Sequence, residues 1–510
     1  MFRAQAPHRR SVAWIPALLL AACGGGDQQT YTIDILGPPD VFDSAEVVEL
    51  TLNGKSIAQA TPQPGTPFTL ENGAVDPETD MSGILAIVGR NGVNDVVALG
   101  TAPQLEVLNA AARVRIFVQR PGSLVRAADL AESLPGQVFV TGRSVPAGGL
   151  SLPMNAPVFG TGQASAEGLS NELFVYNPIT HQVQDIGTLN TARSGAASAS
   201  APDGRVFLFG GLAADETGAA VVSGQMDAFS LGRQNLSTFF VAAPSMRGGD
   251  AEAPRTDTVL VATQRPLFAV GGRDPAGQPL ASVVSLDLDG SPANPIQTFL
   301  APGATPRVGH TATLVDTEAT WDHILIYGGA PAGQAVAEVL DPAARALVPL
   351  DVAATPGAGG PPAVPGADGH PGTGRRGHAA LLLPTTPPAV LILGGLGDDG
   401  VVRADSILYD PALRRFRPGP FALTTPRANF VAFVQGKDVV VAGGVGPGGQ
   451  PVGTVEIFDV DTGTRLSEQP AVARVGARAT ALPNLTVGIL GGLEAGDVPS
   501  KAFELYLARQ

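Results

Sequence analysis

Cysteine occurs once in the 510 residues, at position 23. That count excludes an internal disulfide and any cysteine-based zinc site. Lysine occurs only at Lys55, Lys437 and Lys501, and the net charge is −14, which argues against a nucleic-acid partner. Charged residues make up only 15% and aromatics 5%, so the surface is weakly charged and poor in the flat rings that sugars stack on. Beyond the N-terminus no run of 18 apolar residues occurs, which leaves no candidate membrane helix. The six histidines (His8, His181, His310, His323, His370, His378) have no metal-ligand spacing, and no phosphate loop, dinucleotide fingerprint or Gly-x-Ser-x-Gly elbow is present. What is abundant is glycine, 64 residues, and proline, 45. Hydrophobics at 44% supply a core for globular domains, and the Gly/Pro density suits many short strands joined by turns.

The N-terminus accounts for the single cysteine. Arg3, Arg9 and Arg10 precede an apolar run from Val12 to Leu20, and the segment closes on Leu20-Ala21-Ala22-Cys23. This ending resembles the bacterial lipobox. The resemblance implies cleavage before Cys23, acylation of its thiol and amine, and a mature charge of −17 once three arginines are removed. Residues 1–22 are then signal peptide and 23–30 a Gly-rich tether. The residue after Cys23 is Gly24 rather than Asp, which by resemblance to lipoprotein sorting implies the outer membrane of a Gram-negative cell. The lipid is the expected membrane partner, held far more firmly than by a single acyl chain.

From 31 to 126, β-branched runs at Tyr31–Leu36, Glu46–Leu52, Ile84–Val88, Val96–Leu99 and Arg113–Val118 alternate with Asn-Gly turns at 53, 72 and 91. These predict a small β-sandwich of immunoglobulin-like shape, acting as a spacer, followed by a linker over 127–136.

Residues 137–510 carry a repeat. Apolar strands ending in a glycine doublet recur at Val206–Gly211, Leu267–Gly272, Ile324–Gly329, Val390–Gly395, Val439–Gly444 and Val487–Gly492, with a degenerate copy at Val158–Gly162. An arginine lies upstream of each: Arg143, Arg193, Arg255, Arg307, Arg375, Arg427 and Arg474. Two arginines are followed by x-Gly-His, at His310 and His378, and strands such as Ser406-Ile-Leu-Tyr-Asp follow downstream. This pattern resembles the kelch repeat, in which Arg-x-x-His opens the first strand, Gly-Gly closes the second and Tyr-Asp closes the third. The family's tryptophan after that strand is absent; Val183, Leu347 and Phe416 stand there. The resemblance implies an all-β fold containing a seven-bladed kelch-type β-propeller, six blades being the alternative count. The last copy ends one strand short, and Gln137–Thr141 is the expected strand that completes it.

The family's arginines commonly hydrogen-bond neighbouring blades. The sharper expectation is that Arg193, Arg255, Arg307, Arg375, Arg427 and Arg474 line an axial mouth and bind an anionic group. Residues 212–225 and 352–374 are the long loops expected at that same end. Acid-rich turns at Asp215–Gly218, Asp398–Gly400 and Asp459–Gly463 suit Ca²⁺ chemically but complete no calcium-loop pattern, so no cofactor is expected beyond the lipid on Cys23. The galactose-oxidase version of this architecture needs a Cys crosslinked to Tyr, which Cys23 does not supply. The favoured function is a monomeric envelope lipoprotein whose propeller binds a protein. A glycan-binding module is the alternative, and a sugar epimerase or mutarotase, resembling kelch-type sialic-acid epimerases, ranks behind it.

Overall fold

The computed structural model describes residues 18–21, 30–63, 83–102, 113–127, 138–140, 158–161, 169–177, 181–200, 206–229, 254–263, 266–287, 296–299, 304–315, 323–344, 346–350, 372, 374–482 and 484–509. Every regular element among them is a β-strand, so the chain is all-β as its Gly/Pro punctuation requires. No helix of the described residues is long and apolar enough to cross a membrane.

The N-terminal unit is two sheets over one core. In one, Thr30–Leu36 pairs parallel with Arg113–Phe117 and antiparallel with Leu18–Ala21, a strand that lies within the expected signal peptide and is lost from a chain cleaved before Cys23. In the other, Lys55–Ala60, Val47–Leu52, Leu85–Arg90 and Val96–Thr101 form an antiparallel sheet in that spatial order. Period-two alternation decides which residues meet: Ile33, Ile35, Val114 and Ile116 from the first sheet pack against Val48, Leu50, Leu85 and Ile87 from the second. Asn53-Gly54, at φ 51° and 79°, makes the two-residue hairpin that joins Leu52 to Lys55. The strand Lys55–Ala60 lies outside the sequence expectation because its outward face is polar and no apolar run marks it.

The repeats form antiparallel sheets with a common order. Four are complete and local: Val259–Ala262 to Ile296–Phe299, Thr311–Val315 to Ala346–Pro349, Ala379–Leu383 to Arg415–Pro418, and Val431–Gln435 to Arg465–Pro470. A preceding sheet joins Ala197–Ser200, Val206–Phe209 and Met226–Phe229. In each, the strand before Gly-Gly is second. It is buried along its whole length at Val206–Phe209, His323–Tyr327, Ala389–Leu393, Asp438–Ala442 and Thr486–Leu490. First strands such as Thr311–Val315 and Ala379–Leu383 are mostly half-buried. They neighbour one another in series: Ala197–Ser200, Val259–Ala262, Thr311–Val315, Ala379–Leu383, Val431–Gln435, Arg478–Ala481 and then Val138–Val140.

The last sheet corrects the sequence expectation. Its order is Arg478–Ala481, Thr486–Leu490, Glu504–Leu507 and then Ser123–Arg126, paired Glu504↔Arg126 through Leu507↔Ser123. Val138–Val140 instead pairs with Val158–Thr161 as the first strand of the first repeat. Thus the fourth strand comes from residues the sequence reading placed at the end of the sandwich. Gly122, at φ 73°, turns the chain out of the sandwich and donates its N–H to Leu507. The domain boundary therefore falls near Arg120, ahead of the expected 126.

Candidate functional site

Six of the predicted site residues occupy one repeated environment. Arg193, Arg255, Arg307, Arg375, Arg427 and Arg474 are all 0–1% exposed. Each Nη1 donates to the carbonyl of the first glycine in its own sheet's doublet: Gly210, Gly271, Gly328, Gly394, Gly443 and Gly491, at 2.7–3.3 Å. The second glycine then donates its N–H to the backbone carbonyl of the next sheet's arginine. The series is Gly211 to Arg255, Gly272 to Arg307, Gly329 to Arg375, Gly395 to Arg427 and Gly444 to Arg474, at 2.8–3.0 Å. The doublet is a relay: one glycine receives from its own arginine, and the other reaches the next.

Further guanidinium donors on Arg255, Arg307, Arg375, Arg427 and Arg474 meet partners that the sequence reading missed. Glu338, Glu456 and Glu504 sit buried in third strands and bind Arg307, Arg427 and Arg474 at 2.6–2.9 Å. Glu338 also accepts from Thr305 N–H and hydroxyl, Glu456 from Thr424 and Thr425 N–H, and Glu504 from Val472 N–H. Arg375 reaches the half-exposed Asp405 at 3.0 Å, and Arg255 the Ser282 hydroxyl at 3.1 Å. Burial pushes the Arg427 and Arg474 guanidinium pKa values down, and the facing carboxylates oppose that shift. The signal was present: a glutamate inside an otherwise apolar strand, 31, 29 and 30 residues after its arginine.

The anionic ligand expected on these arginines therefore finds no exposed guanidinium to bind. Through their bonds to the glycine doublets these arginines tie neighbouring sheets together. Arg143 and Cys23 lie outside the described residues, as does 352–371 of the second expected loop.

His310 and His378 follow the same logic. Each stands three residues after its arginine and is buried, and His378 shares a hydrogen bond with Thr311 Oγ1 at 2.8 Å. Burial first, then the neighbouring arginine, pushes both imidazoles down to about 3, so both are neutral at pH 7.

What remains exposed is a set of hairpins. After the glycine doublets the chain rises into tight turns centred on Gly218, Gly277, Gly333, Gly400, Gly449 and Gly496. Each of these glycines has φ between 73° and 83°, and a Cβ there would meet nothing within 4 Å. The acid-rich turns belong to this set or to the opposite end, and their carboxylates cap their own backbones. Asp215 Oδ1 accepts from Thr217 and Ala219 N–H, and Asp459 Oδ1 from Asp461 and Thr462 N–H. Among the described residues no group of three His, Cys, Asp or Glu converges as a metal site.

The sandwich meets the opposite end of the repeats. Phe117 joins a core with Tyr176, Leu482, Leu490, Phe503 and Leu505. Thr101 Oγ1 donates to the Asn484 carbonyl at 2.6 Å, in the turn before Thr486–Leu490. His181, in the turn after Ser170–Asn177, bonds the Tyr176 hydroxyl at 2.6 Å and lies at a 45° tilt to the Phe117 ring, 6.0 Å away; burial pushes it down to about 4. The exposed hairpins and the sandwich thus occupy opposite ends of the repeat sheets. No protein-family model matches the chain, and no curated protein matches it.

Proposed function

We propose that this chain is a lipid-anchored envelope scaffold whose kelch-type repeats close into a seven-bladed propeller and bind a protein through the glycine-turn hairpins. Support for the ring comes from the first strands, which neighbour one another in series from Ala197–Ser200 round to Val138–Val140. A sheet with two apolar faces needs such neighbours on both sides. The observation that carries the function is polarity. The sandwich, which follows Cys23 in sequence, contacts one end of the sheets, and the projecting hairpins stand at the other. With acyl groups on Cys23 the hairpins face away from the outer membrane, on a base stiffened by the arginine–glycine relay. Loops over a rigid scaffold are where recognition concentrates.

The test uses a photo-crosslinking residue at Thr217 or Gln450 on the hairpins, with Leu466 on an outer strand as control, in intact cells. Covalent protein adducts at the first two sites and none at Leu466 support the scaffold. Adducts at neither hairpin contradict it. The anchor has its own test: Cys23→Ala should abolish palmitate labelling, and persistent labelling would overturn the lipid assignment.

A further inference from the structure

The turn joining Ser406–Asp410 to Arg415–Pro418 lies at the sandwich-facing end of its sheet and carries Leu413, Arg414, Arg415 and Arg417, all exposed. Leu413 is 67% exposed at the tip. The turn is rigid: Asp410 Oδ1 accepts from Ala412 and Leu413 N–H at 3.0 Å, and buried Phe416 packs 5.1 Å from the Tyr409 ring. None of the three guanidiniums has an ion-pair partner among the described residues. Three like charges in one turn repel; the preceding sheet keeps an arginine, Arg345, in the place of Arg414 but does without the other two. In the preceding sheet the same turn closes with Asp341 capping Ala343 and Ala344, and there Ala346 and Val348 stand at the register positions of Arg415 and Arg417.

We infer that this turn is a second docking surface, separate from the hairpin end, for an acidic protein segment. Arginine forks suit side-chain carboxylates, and an exposed leucine at the centre of the cluster adds an apolar contact that an acidic polypeptide can return. Charge complementarity and the exposed leucine select an acidic polypeptide, and an anionic bilayer is the alternative that the vesicle competition tests.

The probe is a 20-residue Glu/Leu peptide titrated into the full lipidated protein held in phosphatidylcholine nanodiscs. The variant R414Q/R415Q/R417Q should lose about tenfold in affinity, the sum expected for three exposed pairs, with an unchanged melting temperature. Leu413→Ser should weaken binding severalfold with the charges intact. Equal affinity in the triple variant, or no effect of Leu413→Ser, would overturn the inference. So would displacement of the peptide by phosphatidylglycerol vesicles at equal charge, which would make the turn a membrane contact. Loss of palmitate labelling is read separately, so failure of the anchor reading is not confused with failure of this one.

Discussion

At the scale of single residues, stability in the repeats depends on charges withdrawn from water in pairs. Removing one member of a buried ion pair costs about 3–5 kcal/mol, whereas an exposed pair is worth about 0–1 kcal/mol. Glu456→Gln should therefore shift the urea midpoint far more than Asp405→Asn, because Glu456 is fully buried and Asp405 is 45% exposed. Similar shifts for the two variants would contradict this reading. The histidines predict a pH dependence. With folded values about 3 against an ordinary 6.5, His310 and His378 take up protons only on unfolding throughout that window. Stability is then retained above pH 6.5 and falls as pH drops toward 3, by up to about 1.4 kcal/mol per pH unit for each histidine. Thr258 occupies the matching position in the sheet before His310 and bonds the Val270 carbonyl. His310→Thr with His378→Thr should make the fall in melting temperature between pH 7 and 5 shallower, whatever its level at pH 7, leaving the share that buried His181 contributes. The arginines were legible in the sequence as a repeat, but their role was not. Their carboxylate partners lie some thirty residues away, and only the pairing of second with third strands brings them together.

At the scale of elements, the glycine doublet is the joint between sheets. A Cβ on Gly443 would lie 2.5 Å from the Arg474 carbonyl of the next sheet, and Gly443 has φ 67°. Gly449, at φ 73° in its exposed turn, has open space around it. Gly449→Ala should cost about 1–2 kcal/mol, the left-handed strain alone. Gly443→Ala adds overpacking against backbone, about 1–3 kcal/mol more. Differential scanning calorimetry on the two variants checks the ordering. Strand positions were legible because apolar runs, Asn-Gly turns and doublets punctuate them. Lys55–Ala60 was missed because its exposed face carries no apolar signal, and Ser123–Arg126 was assigned to the wrong sheet. Four residues after a glycine turn do not reveal that their hydrogen-bond partner lies at the far end of the chain.

At the scale of the whole molecule, the segment that follows directly on the sandwich completes the last repeat sheet. Leu124 N–H binds Gln469 Oε1, and Gln469 Nε2 returns to the Gly122 carbonyl, so Ser123–Arg126 is also tied to the neighbouring sheet. The C-terminus closes the same seam: buried Asp438 accepts from the Tyr506 hydroxyl and from Arg509, which reaches on to Asp459. The N-terminal unit is therefore tied into the proposed ring rather than being a domain on a string. The most direct measurement introduces a protease site within 128–136, cuts the folded protein there, and weighs the product under native conditions. One particle of full mass is expected, separating into two fragments only in denaturant and falling apart natively once Val125→Pro blocks the strand. Release of the N-terminal fragment from the uncut-sequence parent on cleavage alone, or retention of full mass with Val125→Pro, would contradict it.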